Sequence, residues 1–186
     1  MPIGIAWIGE GAEPDGLMDG TVVALAREYA TRAARVRLIG RPERAYDAVR
    51  RQHSSRVILA WLASRAPADG AKLLGVTDVD LFVPVLTFVF GEAQLGGPVA
   101  VVSIARLMEG LRPDLLGDRL VKEAVHEMGH TFGLVHCASE WCVMTRSPGL
   151  AAVDRKHERL CPDCRMRYHE LEEHPRAALQ HPHPHR

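Results

Sequence analysis

The run His126-Glu127-Met128-Gly129-His130-Thr131-Phe132-Gly133-Leu134-Val135-His136 constrains the fold more than any other stretch of the chain. Histidines four positions apart lie on one face of a helix, close enough to share a single ion, with Glu127 beside them. His136, six positions further on, cannot reach that face if the helix continues. The helix must stop and the chain must turn back. Gly133 supplies the stop, because glycine takes the left-handed conformation of a helix C-cap without a Cβ clash.

The short HExxH pattern alone arises by chance in many helices, and its continuation to Gly133 and His136 gives it weight. Three neutral imidazoles leave a tetrahedral zinc one open position, and a zinc so held lowers the pKa of its water to about 7. Glu127 can then take the proton as hydroxide attacks a peptide carbonyl, and return it to the leaving nitrogen. The competing reading is a buried His/Glu helix face with no metal.

Helical periodicity runs from Asp118 or Arg119 to about Leu134, with Leu120, Val121, Ala124, Val125 and Met128 as an inner face. Upstream, Ile3 to Ile8 reads as a buried strand, about Leu17 to Ala34 as an amphipathic helix, and Val36 to Gly40 as a second strand. Tyr46 to Ala66 reads as one helix, or a short and a longer one, ended by Pro67. Val79 to Val83, Leu86 to Phe90 and Val99 to Ser103 are β-rich runs separated by Pro84, Gly91, Gly96 and Gly97, which suggests a sheet with at least one hairpin-like connection. Beyond Met144 the chain is punctuated by Ser, Pro and Gly until about Val153, and a short helix follows Cys161-Pro162 through Glu173. The stretch from His174 to Arg186, rich in His and Pro and without periodicity, is expected to be disordered.

A chain of 186 residues with 47% apolar and 25% charged residues suits one globular core, and a single domain over residues 1–173 is expected. Lys+Arg and Asp+Glu balance at 23 each, so no overall field draws nucleic acid or an anionic membrane. With no signal segment and no apolar stretch long enough to span a bilayer, a monomer in the cytoplasm is expected. Thiols stay reduced there, so metal binding explains Cys137, Cys142, Cys161 and Cys164 better than two disulfides do.

Met144 and those cysteines carry a resemblance. Methionine in a turn beneath the metal site follows the long histidine signature in the metzincins. More specifically, His136-Cys137, then Cys142-Val143-Met144, then Cys161-Pro162-Asp163-Cys164 resembles the archaemetzincin family of zinc metallopeptidases. The likeness extends to Leu74 through Leu81, Phe88 through Ala93 and Asp154-Arg155-Lys156, and covers roughly Leu74 to Cys164. It implies an α+β fold, α/β-like in its layering: a twisted mixed sheet with flanking helices, a cleft over the HExxH helix and a zinc-stapled C-terminal region. Two zinc ions are implied, a catalytic one on His126, His130 and His136 and a structural one on the four cysteines. Cys161-x-x-Cys164 is independently a chelating turn, and a Cys₄ tetrahedron is the usual closed site. As Cys137 directly follows His136, the structural ion would stiffen the chain where the third catalytic ligand leaves the helix. No tyrosine follows Met144 closely, so the tyrosine switch of some metzincins is absent and no oxyanion partner is identifiable; a pro-segment with a blocking cysteine is not seen either.

The expected function is hydrolysis of peptides or unfolded protein segments. Its alternative is a zinc-stabilised peptide-binding domain with little or no turnover. A zinc-ribbon nucleic-acid binder is disfavoured by the neutral charge. In metzincins the substrate lies along an exposed edge strand, which Phe88 to Ala93 matches, and the pocket for the residue after the cleaved bond would be walled by Thr145 to Val153, with Ser147 and Leu150 setting preference. His53, His157, His169 and His174 read as surface or helix-face residues, and His181, His183 and His185 as at most loose metal binders.

Overall fold

The computed structural model describes residues 1–40, 42–110 and 113–174. Its main sheet has the order β2-β1-β5-β8-β7, from β1 (Ile3–Trp7), β2 (Ala33–Arg35), β5 (Lys72–Thr77), β7 (Gly91–Ala93) and β8 (Val99–Ser103). Neighbours are parallel except β7, which runs antiparallel to β8 at the sheet edge. Side chains alternate between faces along each strand. Ile3, Ile5, Leu74, Val76, Ala100 and Val102 pack with α1 (Leu17–Glu28) and α3 (Leu116–Thr131), whereas Ala6, Leu73, Val99 and Val101 pack with α2 (Ser55–Ala63). Covered on both faces, β5 and β8 are buried throughout. A second sheet joins three short strands, β3 (Tyr46–Asp47), β4 (Gln52–Ser54) and β6 (Leu81–Phe82). Two helices, α4 (Leu150–Arg155) and α5 (Pro162–Glu173), follow among the described residues. No helix among the described residues is long and apolar enough to cross a membrane.

Several expectations shift. The first helix ends at Glu28 rather than Ala34, because Ala30 sits at φ 45, outside helical space, and the following residues pair with β1. The second strand is therefore Ala33–Arg35, ahead of Val36 to Gly40. Tyr46 to Ser54 is not helix but an antiparallel pair turned through Arg51 at φ 57, and only Ser55–Ala63 is helical. Leu86 to Phe90 contributes a single bridge, Leu81 to Val89, so the edge strand is Gly91–Ala93. The hairpin-like connection is the β7–β8 pair. β5, unassigned above, is the centre of the sheet. Helix α3 stops at Thr131, and α4 forms inside the stretch expected to be irregular. His174 caps α5, and the remaining tail, with His181, His183 and His185, lies outside the described residues.

The segment from Pro84 to Phe90, of which Leu86 to Phe90 roof one side of a cleft, is held by side chains of β4 and its neighbours. Arg50 donates to the carbonyls of Leu86 and Pro84, and the Gln52 amide donates to the Thr87 carbonyl and to Asp80. Arg106 grips Asp80 with two bonds of 3.0 and 2.7 Å and covers the Phe88 ring at 4.6 Å. Burial pushes the Asp80 carboxyl up, but the Arg106 and Gln52 bonds outweigh it and hold the group below its ordinary value. A depressed carboxylate stabilises the fold above its unfolded pKa, and that contribution is lost as pH falls through the folded one. Asp80→Asn is accordingly expected to cost about 1 kcal/mol at neutral pH, discounted for the pair's partial exposure. Denaturant melts should show the gap between variant and wild type closing in strong acid; a constant gap would mean the anion is not what matters.

Candidate active site

His126 and His130, one turn apart on α3, bring their Nε2 atoms to 3.1 Å. Each Nδ1–H donates to a carbonyl, of Val143 at 2.8 Å and of Leu134 at 2.7 Å, which leaves the Nε2 lone pairs free on the facing side. The helix closes as the motif requires: Gly133 adopts φ 96 and donates to the His130 carbonyl, and Leu134 N–H reaches back to Gly129. The chain then returns, placing the His136 ring 5.3 Å from that of His126 and 4.9 Å from that of His130. Ligating atoms of the three lie within 4.8 Å of one another. Burial holds all three imidazoles toward the neutral, ligating form, His136 down to about 4 and His126 well below its ordinary value, with the Lys156 charge acting the same way. This donor set fits zinc.

Glu127 is buried beside them, its carboxyl pushed well above the ordinary range first by burial and then by Glu123. A Cβ at Gly91 would stand 2.6 Å from Glu127 Cγ, so the edge strand runs directly against the glutamate. Met144 is fully buried, and a Cβ at Gly129 would lie 2.5 Å from its sulfur, so the methionine turn packs under the HExxH helix through a glycine contact.

The sulfurs of Cys137, Cys142, Cys161 and Cys164 also lie within 4.8 Å of one another, and none forms a disulfide. Backbone N–H groups of Ser139 and Cys161 donate to Cys137 Sγ and Cys142 Sγ, each at 3.4 Å. Burial pushes the Cys142 thiol up to about 11, whereas at Cys161 the same effect is outweighed by hydrogen bonds from the Cys164 backbone and neighbouring thiols, and that thiol is lowered. Cys137 N–H donates to the Met144 carbonyl at 3.0 Å, so the cysteine cluster, the third histidine and the methionine turn form one braced unit.

The description of peptidase family M54 matches residues 43–170. The chain belongs to peptidase family M54. An archaemetzincin of Methanopyrus kandleri is 46% identical over 123 residues, 66% of this chain and 69% of that one. Another, of Pyrococcus abyssi, is 37% identical over 167 residues, 81% and 89% of the two chains. The crystal structure of the Methanopyrus kandleri archaemetzincin matches with a TM-score of 0.83 at 35% identity, covering 93% of this chain and 96% of its own. Family membership makes the chain a zinc metallopeptidase.

In this M54 chain a cleft of about 710 Å³ is roofed by Leu86 to Ala93 and floored by His126, Glu127, His130 and His136. Its far wall is Arg146, Ser147 and Pro148; Leu150 packs toward the core and does not line it, so the wall is shorter than Thr145 to Val153. Four charged groups to which the sequence assigned no role stand at or beside the cleft. Glu123 lines the cleft and meets Lys156 Nζ at 2.8 Å, with Ser147 Oγ donating to it at 3.3 Å. Glu92, on β7, accepts from Ser55 Oγ at 2.5 Å. Arg146 Nε donates to His136 Nδ1 at 3.1 Å. Glu123 precedes Glu127 by one helical turn, a spacing that could have marked it. His53 stands 3.7 Å from Glu10, away from the cleft, and His157 lies tilted against Trp141 with ring centroids 5.6 Å apart.

Proposed function

We propose that this peptidase cleaves peptides or unfolded segments at a zinc held by His126, His130 and His136, with Glu127 as general base, and keeps a second, structural zinc on its four cysteines. The carrying observation is the convergence of three neutral imidazoles beside a buried carboxylate in an open cleft. Zinc, when bound there, supplies the Lewis acidity that polarises the scissile carbonyl and lets water react near neutral pH. Glu127 takes the proton of the attacking water and hands it to the leaving nitrogen. The free edge of β7, pressed against Glu127 through Gly91, holds the substrate extended by its backbone groups, which favours little sequence selectivity along the strand. Residues 1–173 act as one catalytic domain, working as a monomer in the cytoplasm without nucleic-acid or membrane partners. A peptide-library cleavage assay tests the reading. Hydrolysis should be lost on chelation and restored by zinc, and activity indifferent to chelators would overturn it.

Two ions imply unequal lability. The three-histidine site opens onto the cleft, whereas the cysteines form a closed set whose binding energy is folding energy. Mild chelation is expected to remove one zinc per chain with the far-UV circular dichroism retained. Simultaneous loss of both ions and of the fold would count against separate roles.

A further inference from the structure

We propose that Arg146 makes the cleft selective for substrates that present a carboxylate at the residue just after the cleaved bond. This deepens, and rests on, the reading of the histidine cluster as the hydrolytic centre.

Arg146 is an exposed cation on the wall of the cleft, two residues beyond the buried Met144, and its Nε lies 3.1 Å from His136 Nδ1. That bond is its only hydrogen bond to another described residue, and no carboxylate pairs with it there. The acids of the cleft are taken up elsewhere. Glu123 is matched by Lys156 and Ser147, and Glu92 by Ser55 with Arg56 at 3.8 Å, while Glu127 is packed beneath Gly91. Leu86, Phe88 and Val89 across the cleft offer no charge. A guanidinium with both terminal nitrogens free, on a wall facing apolar side chains, suits the two oxygens of a carboxylate better than any neutral group. An imidazole that ligates through Nε2 carries its proton on Nδ1 and cannot accept from Arg146, so ligation by His136 frees the Nε–H for the same carboxylate.

The carboxylate has two possible sources, a Glu or Asp side chain or the C-terminus of a short peptide, and one set of substrates separates them. Peptides identical except for Glu or Gln after the cleaved bond, each with a free or an amidated C-terminus, are compared by kcat/KM on the zinc-loaded protein. Wild type should favour the carboxylate partner about five- to ten-fold at low ionic strength, and less in high salt. Whichever substitution produces the advantage identifies the source. Arg146→Met should bring the ratio to about one, and Arg146→Glu should turn the preference toward Lys. The same peptides titrated calorimetrically into zinc-loaded Glu127→Gln should show the same ratio in Kd. Equal handling of acid and amide by wild type, or a preference that survives Arg146→Met, overturns the assignment. Absence of any cleavage would sink the hydrolytic reading instead, and the Kd ratio would then decide on Arg146 alone.

Discussion

Glu127→Gln is expected to lower kcat/KM by about 10²- to 10⁴-fold while the protein keeps its full zinc content and melts no lower than wild type. The amide fills the same space beneath Gly91, where the side chain has little room, but it cannot accept a proton from water. None of the groups that converge as ligands is altered, so metal retention should not change. Stability should hold or rise, because burial disfavours the native carboxylate most and the repulsion of Glu123 and Glu92 adds to it, with Lys156 offsetting only part, so a neutral isostere removes a net cost. Kinetics on a cleaved peptide, zinc analysis and a thermal melt together give the check. Near-normal turnover removes Glu127 from the chemistry, and loss of zinc together with activity moves it to a structural role. A variant that is inactive, loaded and at least as stable is what a catalytic group held against its own burial cost predicts.

The parts of this fold that were legible in the sequence are those whose reasons are local. Gly133 had to stop α3 for His136 to return, and it does so at φ 96. Pro162 at the first position of α5 follows Cys161, so the chelating turn and the helix start coincide. β5 escaped notice because it opens on a lysine and has glycine in its middle, neither a strand former. Lys72 is tolerated there because its ammonium donates to the Gly97 and Thr131 carbonyls, the latter at the end of α3, a partner far along the chain. Tyr46 to Ser54 reads as helix in the sequence for the same kind of reason: β4 is defined by pairing with Leu81-Phe82, and helical spacing of apolar residues cannot report that. In the site, the candidate ligands that cluster in sequence were readable and Glu123 was marked only by its spacing from Glu127, whereas Arg146 and Lys156 acquire meaning only once α4 and the segment around Met144 are folded against α3.

Lys156→Met is expected to destabilise the protein by about 3–5 kcal/mol, a large share of a domain's usual margin, and Glu123→Gln added to it should recover much of the loss. The Lys156 side chain is 0% exposed and that of Glu123 4%, and the 2.8 Å approach is a charge contact off-line for a hydrogen bond. Neighbouring bonds force the pairing. Arg119 grips Asp154 with bonds of 2.7 and 2.9 Å, and Lys122 donates to the Val153 and Asp154 carbonyls, so the end of α4 is clamped to α3 and Lys156 can only point inward. Removing the ammonium alone strands a buried carboxylate, while removing both charges leaves only a packing adjustment; this asymmetry is typical of buried pairs. In a chain of this length the single variant should melt roughly 10 °C lower. Denaturant titrations of the two single variants and the double variant close the cycle. A single variant as stable as wild type, or a double variant no better than the single, would show that Glu123 is compensated by something other than Lys156.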